Sequence, residues 1–161
     1  MERIILATGC FWGAQEILRQ IPGVETTAAV YAGGTLENAR YTDVKTGRTG
    51  HAESVEVHFD SSKTSLEKIL DVFFRMHDPT TEDRQGNDIG SQYRSAIFYF
   101  SPGQKEISLK KIREIEKMGF WKKPIVTEVT PYGISAQAEE EHQDYLQKHP
   151  NGYSCHFLRK F

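Results

Sequence analysis

The residue of this chain best placed to do chemistry is Cys10, in the stretch Thr8-Gly9-Cys10-Phe11-Trp12-Gly13. Before it, Ile4-Ile5-Leu6-Ala7 is a short apolar run that reads as a strand. After it, Phe11, Ala14, Ile17, Leu18 and Ile21 recur at helical spacing. The thiol therefore falls at a strand-to-helix turn. Unpaired N–H groups and the positive end of the helix dipole favour an anion there, and the thiolate is the nucleophilic form of cysteine. A buried structural cysteine beside core aromatics would show the same pattern, because free cysteine is among the most buried residue types. On spacing alone both readings stand.

A second candidate is Glu53. From Ala52 to Phe59 the chain alternates, so Val55, Val57 and Phe59 share one strand face and Ser54, Glu56 and His58 the other. Parity puts Glu53 with the apolar set, an unusual place for a carboxylate. Such a group either escapes to water or an arginine at the strand end, or stays buried with a raised pKa and donates a proton near neutral pH.

The third is Cys155, the only other cysteine. Two cysteines near opposite ends make no structural disulfide framework, though they could form a catalytic pair. No metal site is expected, since there is no Cys-x-x-Cys and the histidines are scattered at 51, 58, 77, 142, 149 and 156. His142 and His149 read as part of a solvated helix face.

The rest of the chain must position these groups. Its 161 residues suffice for one domain, 1–161, with a tail at about 150–161 that carries Cys155. A formal charge of −2 gives no electrostatic case for nucleic acid or an anionic membrane. No run is long enough to span a bilayer, and the N-terminus lacks the shape of a signal peptide. A cytoplasmic monomer is the expectation.

Ile21-Pro22-Gly23 ends the first helix, and a strand then runs from Val24 toward Gly33-Gly34. Residues 35–50 form a long polar excursion containing Tyr41, and long loops in compact domains are more often functional than accidental. Thr64-x-x-Glu67 has the form of a capping box opening a helix that stops at His77-Asp78-Pro79. A second polar loop, 80–92, precedes a strand from Tyr93 to Phe100. Ser101-Pro102-x-Gln104 caps a helix that ends at Gly119. Ile125 to Val129 reads as a strand, and Ser135 as the cap of a last helix ending before Pro150. The first six elements fit an α/β (α+β) class fold of the split βαβ type, with helices on one side of a mixed or antiparallel sheet.

Several stretches together carry a resemblance. They are Gly9-Cys10-Phe11-Trp12-Gly13, Tyr31-Ala32-Gly33-Gly34, Gly47-Arg48-Thr49-Gly50-His51-Ala52-Glu53, His77-Asp78-Pro79-Thr80 and the segment from Gln85 through Asp88 to Ser95. In this order, over about residues 3–156, they closely resemble the A-class peptide methionine sulfoxide reductases. The resemblance implies a ferredoxin-like two-layer sandwich with added strands, helices and long loops. It implies reduction of the S epimer of methionine sulfoxide, free or within proteins, through a cysteine sulfenic acid. It makes Cys10 the nucleophile, Phe11 and Trp12 the pocket for the methyl group, Glu53 the acid, and Tyr41, Tyr93 and Asp88 polar groups around the sulfoxide oxygen. Cys155 becomes the resolving thiol, with thioredoxin as the external dithiol and no metal or organic cofactor. Two positions depart from the family pattern: Arg40 stands where a small polar residue is expected, and the tail lacks the glycine-rich, two-cysteine form of some relatives.

Overall fold

A computed structural model describes residues 1–161. Strand β1 (Glu2–Thr8) leads to helix α1 (Phe11–Arg19), then to β2 (Val24–Ala32), a single-turn helix α2 (Tyr41–Val44) and β3 (Ala52–Phe59). Helix α3 (Leu66–Met76) follows, then a small hairpin of β4 (Arg84–Gln85) and β5 (Asp88–Ile89) and strand β6 (Ser95–Tyr99). The chain continues with α4 (Pro102–Met118), β7 (Glu128–Pro131), β8 (Ser135–Gln137) and the short helix α5 (Tyr145–Lys148).

Six strands form one sheet in the order β7-β6-β1-β3-β2-β8. Its centre, β6-β1-β3-β2, is antiparallel throughout, as a ferredoxin-like split βαβ fold requires. β7 adds parallel to β6 on one edge and β8 antiparallel to β2 on the other.

The alternation read in the sequence sorts β1 as expected. Ile4 and Leu6 join the larger core beneath α1, α3 and α4, with Val55, Val57, Phe59, Leu70 and Phe73. Ile5 and Ala7 face the opposite side with Val30, Ala32 and Phe98.

Four expectations differ. The cap of α3 is Ser65, whose hydroxyl accepts from the Lys68 N–H, so the box at Thr64 is displaced by one residue. The strand expected at 125–129 starts later, at Glu128, because register with β6 is set by the pairing Ala96–Glu128. Ser135 opens the edge strand β8 instead of a helix, its segment drawn into extended form by pairing with residues 30–32. The acidic run that follows makes only a 3-10 turn, Glu140–His142, before α5. Local helix propensity there yields to the unpaired edge of β2.

Candidate active site

Gly9 lets the chain turn sharply out of β1. Its φ of +96° is one that side-chain-bearing residues rarely adopt, and Gln85 packs where a Cβ would stand. Gln85 is fixed in turn by the Asp78 backbone, donating to the carbonyl and accepting from the N–H at 3.0 Å. Part of the Asp78-to-Gln85 stretch thus serves to hold the turn that presents Cys10.

Cys10 is the N-cap residue of α1 and is almost fully buried. The structure corrects the expectation of a resting thiolate. Burial pushes the Cys10 thiol well up, and the charge of Glu53 adds to this, while a hydrogen bond from the Trp12 backbone only partly offsets them. A helix N-terminus stabilises an anion by about 1 kcal/mol, too little to overcome desolvation. Cys10 rests as a thiol.

Glu53 lies where parity puts it, 3% exposed, opposite Tyr31 on β2 and pointing toward α1. It reaches neither the surface nor an arginine. Its Oε1 accepts from the Phe11 backbone N–H at 3.3 Å, in the first turn of the helix that Cys10 caps. Burial pushes its pKa up to about 8, against the lowering effect of the Phe11 N–H and with a further rise from Asp88. At neutral pH it is a carboxylic acid with a proton to give.

Tyr41 opens α2 within the first long loop, and Tyr93 closes a 3-10 turn, Ser91–Tyr93, before β6, so the strand expected from Tyr93 begins at Ser95. Burial raises both phenol pKa values, and Glu53, Cys10 and Asp88 contribute to each, which places the five groups in one electrostatic neighbourhood. Both hydroxyls stay protonated and can donate. Tyr41 is set by Glu139, whose carboxylate accepts from the Tyr41 N–H at 2.9 Å and from the Tyr31 hydroxyl at 2.8 Å. Burial opposes ionisation of Glu139, but the Tyr41 N–H and the Tyr31 hydroxyl hold it below the usual carboxylate range. Asp88, on β5, faces the tail. Its Oδ2 accepts from the Tyr153 hydroxyl at 3.1 Å and lies 3.9 Å from Cys155 Sγ.

Phe11 is buried against Tyr31, with ring centroids 5.6 Å apart. Trp12 is half-buried and stacked on Tyr145 at 3.7 Å. Its indole N–H donates to His142 Nδ1 at 3.2 Å. His142 is therefore no solvated residue. It is 9% exposed, lies among Phe11, Trp12 and Tyr41, and its Nε2 has no hydrogen-bond partner in the protein. The donor on Nδ1 assigns the ring's own proton to Nε2.

Sequence reading missed Glu139, His142 and Tyr145 as site residues. Their clustered acids and spaced histidines looked like an exposed helix, and only the edge pairing of β8 turns them inward. The tail packs back on the domain. It is anchored along its length, by Tyr153 on Asp88, by the Arg159 N–H on the Arg75 carbonyl at 2.9 Å, and by Phe161 on Phe120 at 4.7 Å. Both cysteines are free thiols, Cys155 half-buried, and each contributes to the electrostatic environment of the other or of its neighbours.

The family model described as "Peptide methionine sulfoxide reductase" matches residues 2–160. The chain is 52% identical over 158 residues to the Mycobacterium bovis peptide methionine sulfoxide reductase MsrA, spanning 98% of this chain and 85% of that protein. Among solved structures, reduced Mxr1 from Saccharomyces cerevisiae superposes with a TM-score of 0.93 at 36% identity, covering 99% of this chain and 92% of that one. The same yeast protein in complex with Trx2 superposes at 0.67 with 25% identity, covering 99% and 90%.

Proposed function

The chain belongs to the peptide methionine sulfoxide reductase family, and from that premise we propose that it reduces the S epimer of methionine sulfoxide, free or within proteins, to methionine. The observation that carries the reading is Glu53, a buried acid held protonated and hydrogen-bonded to the helix that Cys10 caps.

A sulfoxide sulfur is a poor electrophile because departing charge gathers on its oxygen. Glu53 delivers a proton to that oxygen, and the Tyr41 and Tyr93 hydroxyls stabilise it by hydrogen bonds. Cys10 gives up its own proton as it attacks, and the Glu53 carboxylate just formed is the acceptor at hand. The Cys10 thiol and the sulfoxide become a sulfenic acid and methionine, with no atom left over. The methyl group lies against Phe11 and Trp12, since soft sulfur groups pack well on aromatic rings. His142 Nε2–H, buried and unpartnered beside Trp12, is free for a polar group of the substrate.

Cys155 then condenses with the sulfenic acid, and an external dithiol reduces the disulfide. The yeast complex with Trx2 supports a thioredoxin in that role. No helix is long and apolar enough to cross a membrane, and we assign the enzyme to the cytoplasm, where thioredoxin keeps thiols reduced.

The test is turnover on separated S and R methyl sulfoxide epimers with thioredoxin as reductant. Only the S epimer should react; equal rates on both, or faster consumption of hydrogen peroxide than of either, would defeat the reading. A hydrolase of the Cys–His type would need an imidazole on Cys10, whereas His58 pairs with Glu56 at 2.7 Å, His142 Nδ1 accepts from the Trp12 indole and His156 Nε2 donates to the Thr8 carbonyl.

Cys155→Ser should release about one methionine per enzyme in a single turnover yet lose most thioredoxin-driven turnover. Dithiothreitol, small enough to reach the sulfenic acid, should restore part of it. Undiminished thioredoxin turnover would make this a one-cysteine enzyme.

Trp12→Ala removes the exposed wall of the methyl pocket and the stack on Tyr145. The preference for methyl over larger alkyl sulfoxides should shrink by roughly tenfold, the scale on which an apolar pocket discriminates one carbon. Unchanged kcat/KM values across an alkyl series would place the methyl pocket elsewhere.

A further inference from the structure

Cys155 sits beside a histidine that none of the steps above employs. The imidazole of His156 lies over the start of α1. Its Nε2 is 2.7 Å from the Thr8 carbonyl oxygen and 3.3 Å from the Thr8 hydroxyl. A carbonyl only accepts, so Nε2 carries the ring proton and Nδ1 is left with a lone pair. That lone pair lies 3.9 Å from Cys155 Sγ. The tail is built to hold this arrangement. The Ser154 hydroxyl oxygen accepts from the His156 backbone N–H at 3.2 Å. Ser154 and His156 both pack on the bare face of Gly13, where any Cβ would stand about 2.7 Å from His156 Nδ1. Gly13, in the first turn of α1, is thus a seat for the tail beside Cys10.

We infer that His156 positions the resolving thiol and accepts its proton, making Cys155 a thiolate at the moment it attacks the Cys10 sulfenic acid. The inference rests on the reading of Cys155 as the resolving cysteine. The Cys155 thiol proton passes to His156 Nδ1. The sulfur–sulfur bond forms as the sulfur–oxygen bond of the sulfenic acid breaks. The departing hydroxide takes up the proton that the thiol gave up and leaves as water. No external oxidant or reductant enters.

The surroundings suit a base. Burial holds the imidazole below its usual range, so it is neutral and able to accept a proton at pH 7; the Thr8 carbonyl and Asp88 act in the opposite direction, and Arg159 in the same one. His77, the other titratable neighbour, is also held neutral, at about 3, by burial. Asp88 is then the one charged group that favours the imidazolium formed in the step. Without such a base Cys155 would ionise poorly, because its own burial, and then Asp88, keep the thiol above its ordinary value despite the Tyr153 hydroxyl.

The experiment compares two steps in one single turnover on a methyl sulfoxide: methionine release, and loss of two hydrogens from the protein by mass spectrometry as the disulfide forms. His156→Gln retains a side-chain N–H able to reach the Thr8 carbonyl but has no basic lone pair; His156→Ala has neither. In both, the ratio of disulfide formation to methionine release should fall about 100-fold at pH 7, the lower range of general-base catalysis. In both, the disulfide step should recover about tenfold per pH unit as the thiol ionises unaided, and added imidazole should speed it in His156→Ala. A ratio equal to that of the wild type would overturn the inference. So would a slowing that is the same at every pH and indifferent to imidazole, which would leave His156 only a structural anchor. Cys155→Ser is run in parallel. If that variant keeps wild-type turnover with thioredoxin, it is the resolving role of Cys155 that fails, and not the chemistry argued for His156.

Discussion

Cys10→Ser should release no methionine from a methyl sulfoxide, even in excess dithiothreitol. Loss of a nucleophile that acts together with its acid typically costs on the order of a million-fold in rate. No other group can substitute: Cys155 lies against Asp88 and His156, away from the Phe11 and Trp12 rings that hold the methyl group in the proposed reaction, and serine is too weak a nucleophile without a dedicated base. The change replaces sulfur by oxygen at a site 8% exposed, so the fold should persist, which circular dichroism and melting temperature would check. Measurable methionine release from a folded Cys10→Ser variant would remove Cys10 from the mechanism.

Glu53→Gln should lower the single-turnover rate by about 100- to 10,000-fold, the usual worth of a positioned acid. Glutamine keeps the size and can accept from the Phe11 N–H, so a loss reports the proton and not the shape. The pH profile sharpens the test. The proposed role requires Glu53 as its neutral acid, and burial raises its pKa to about 8. Wild-type activity should therefore hold through neutral pH and fall as pH rises through about 8. Glu53→Gln should lose that limb. Stability moves in the same direction. The folded pKa is raised from the ordinary 4.5, so the contribution is fully present below that value and lost as pH rises toward 8. Glu53→Gln should then melt no lower than wild type at pH 7 and higher above pH 8, by scanning calorimetry. A rate loss under tenfold, with the pH limb intact, would make Glu53 a structural residue.

These two residues were legible in the chain because each rests on short-range regularities. The switch from an apolar run to a helical period fixes Cys10 at a helix start, and a period of two fixes the face of Glu53. The ferredoxin-like core follows for the same reason, since alternating apolar strands and amphipathic helices can bury their faces in few ways. The positions of Tyr41, Tyr93 and Asp88 were a different matter. Tyr41 and Asp88 lie in polar loops with no period and Tyr93 at the edge of one, and only their likeness to a family singled them out.

What the sequence determined by itself, then, is the framework: a thiol at the end of β1, a carboxyl on the core face of β3, and a sheet with helices over it. What the tertiary structure decided is the electrostatic state of that framework and the identity of its outer parts. Burial outweighs the helix dipole and leaves Cys10 a thiol, a balance that depends on how much water is excluded and not on residue order. The edge of β2 draws residues 135–137 into a strand, and the segment behind it turns Glu139, His142 and Tyr145 inward against Tyr41 and Trp12. The tail closes back over Gly13 and brings His156 to Thr8, a contact between residues 148 positions apart. Long-range pairings of this kind have no local signature, because each partner alone is an ordinary polar residue and only the closed fold brings the two together.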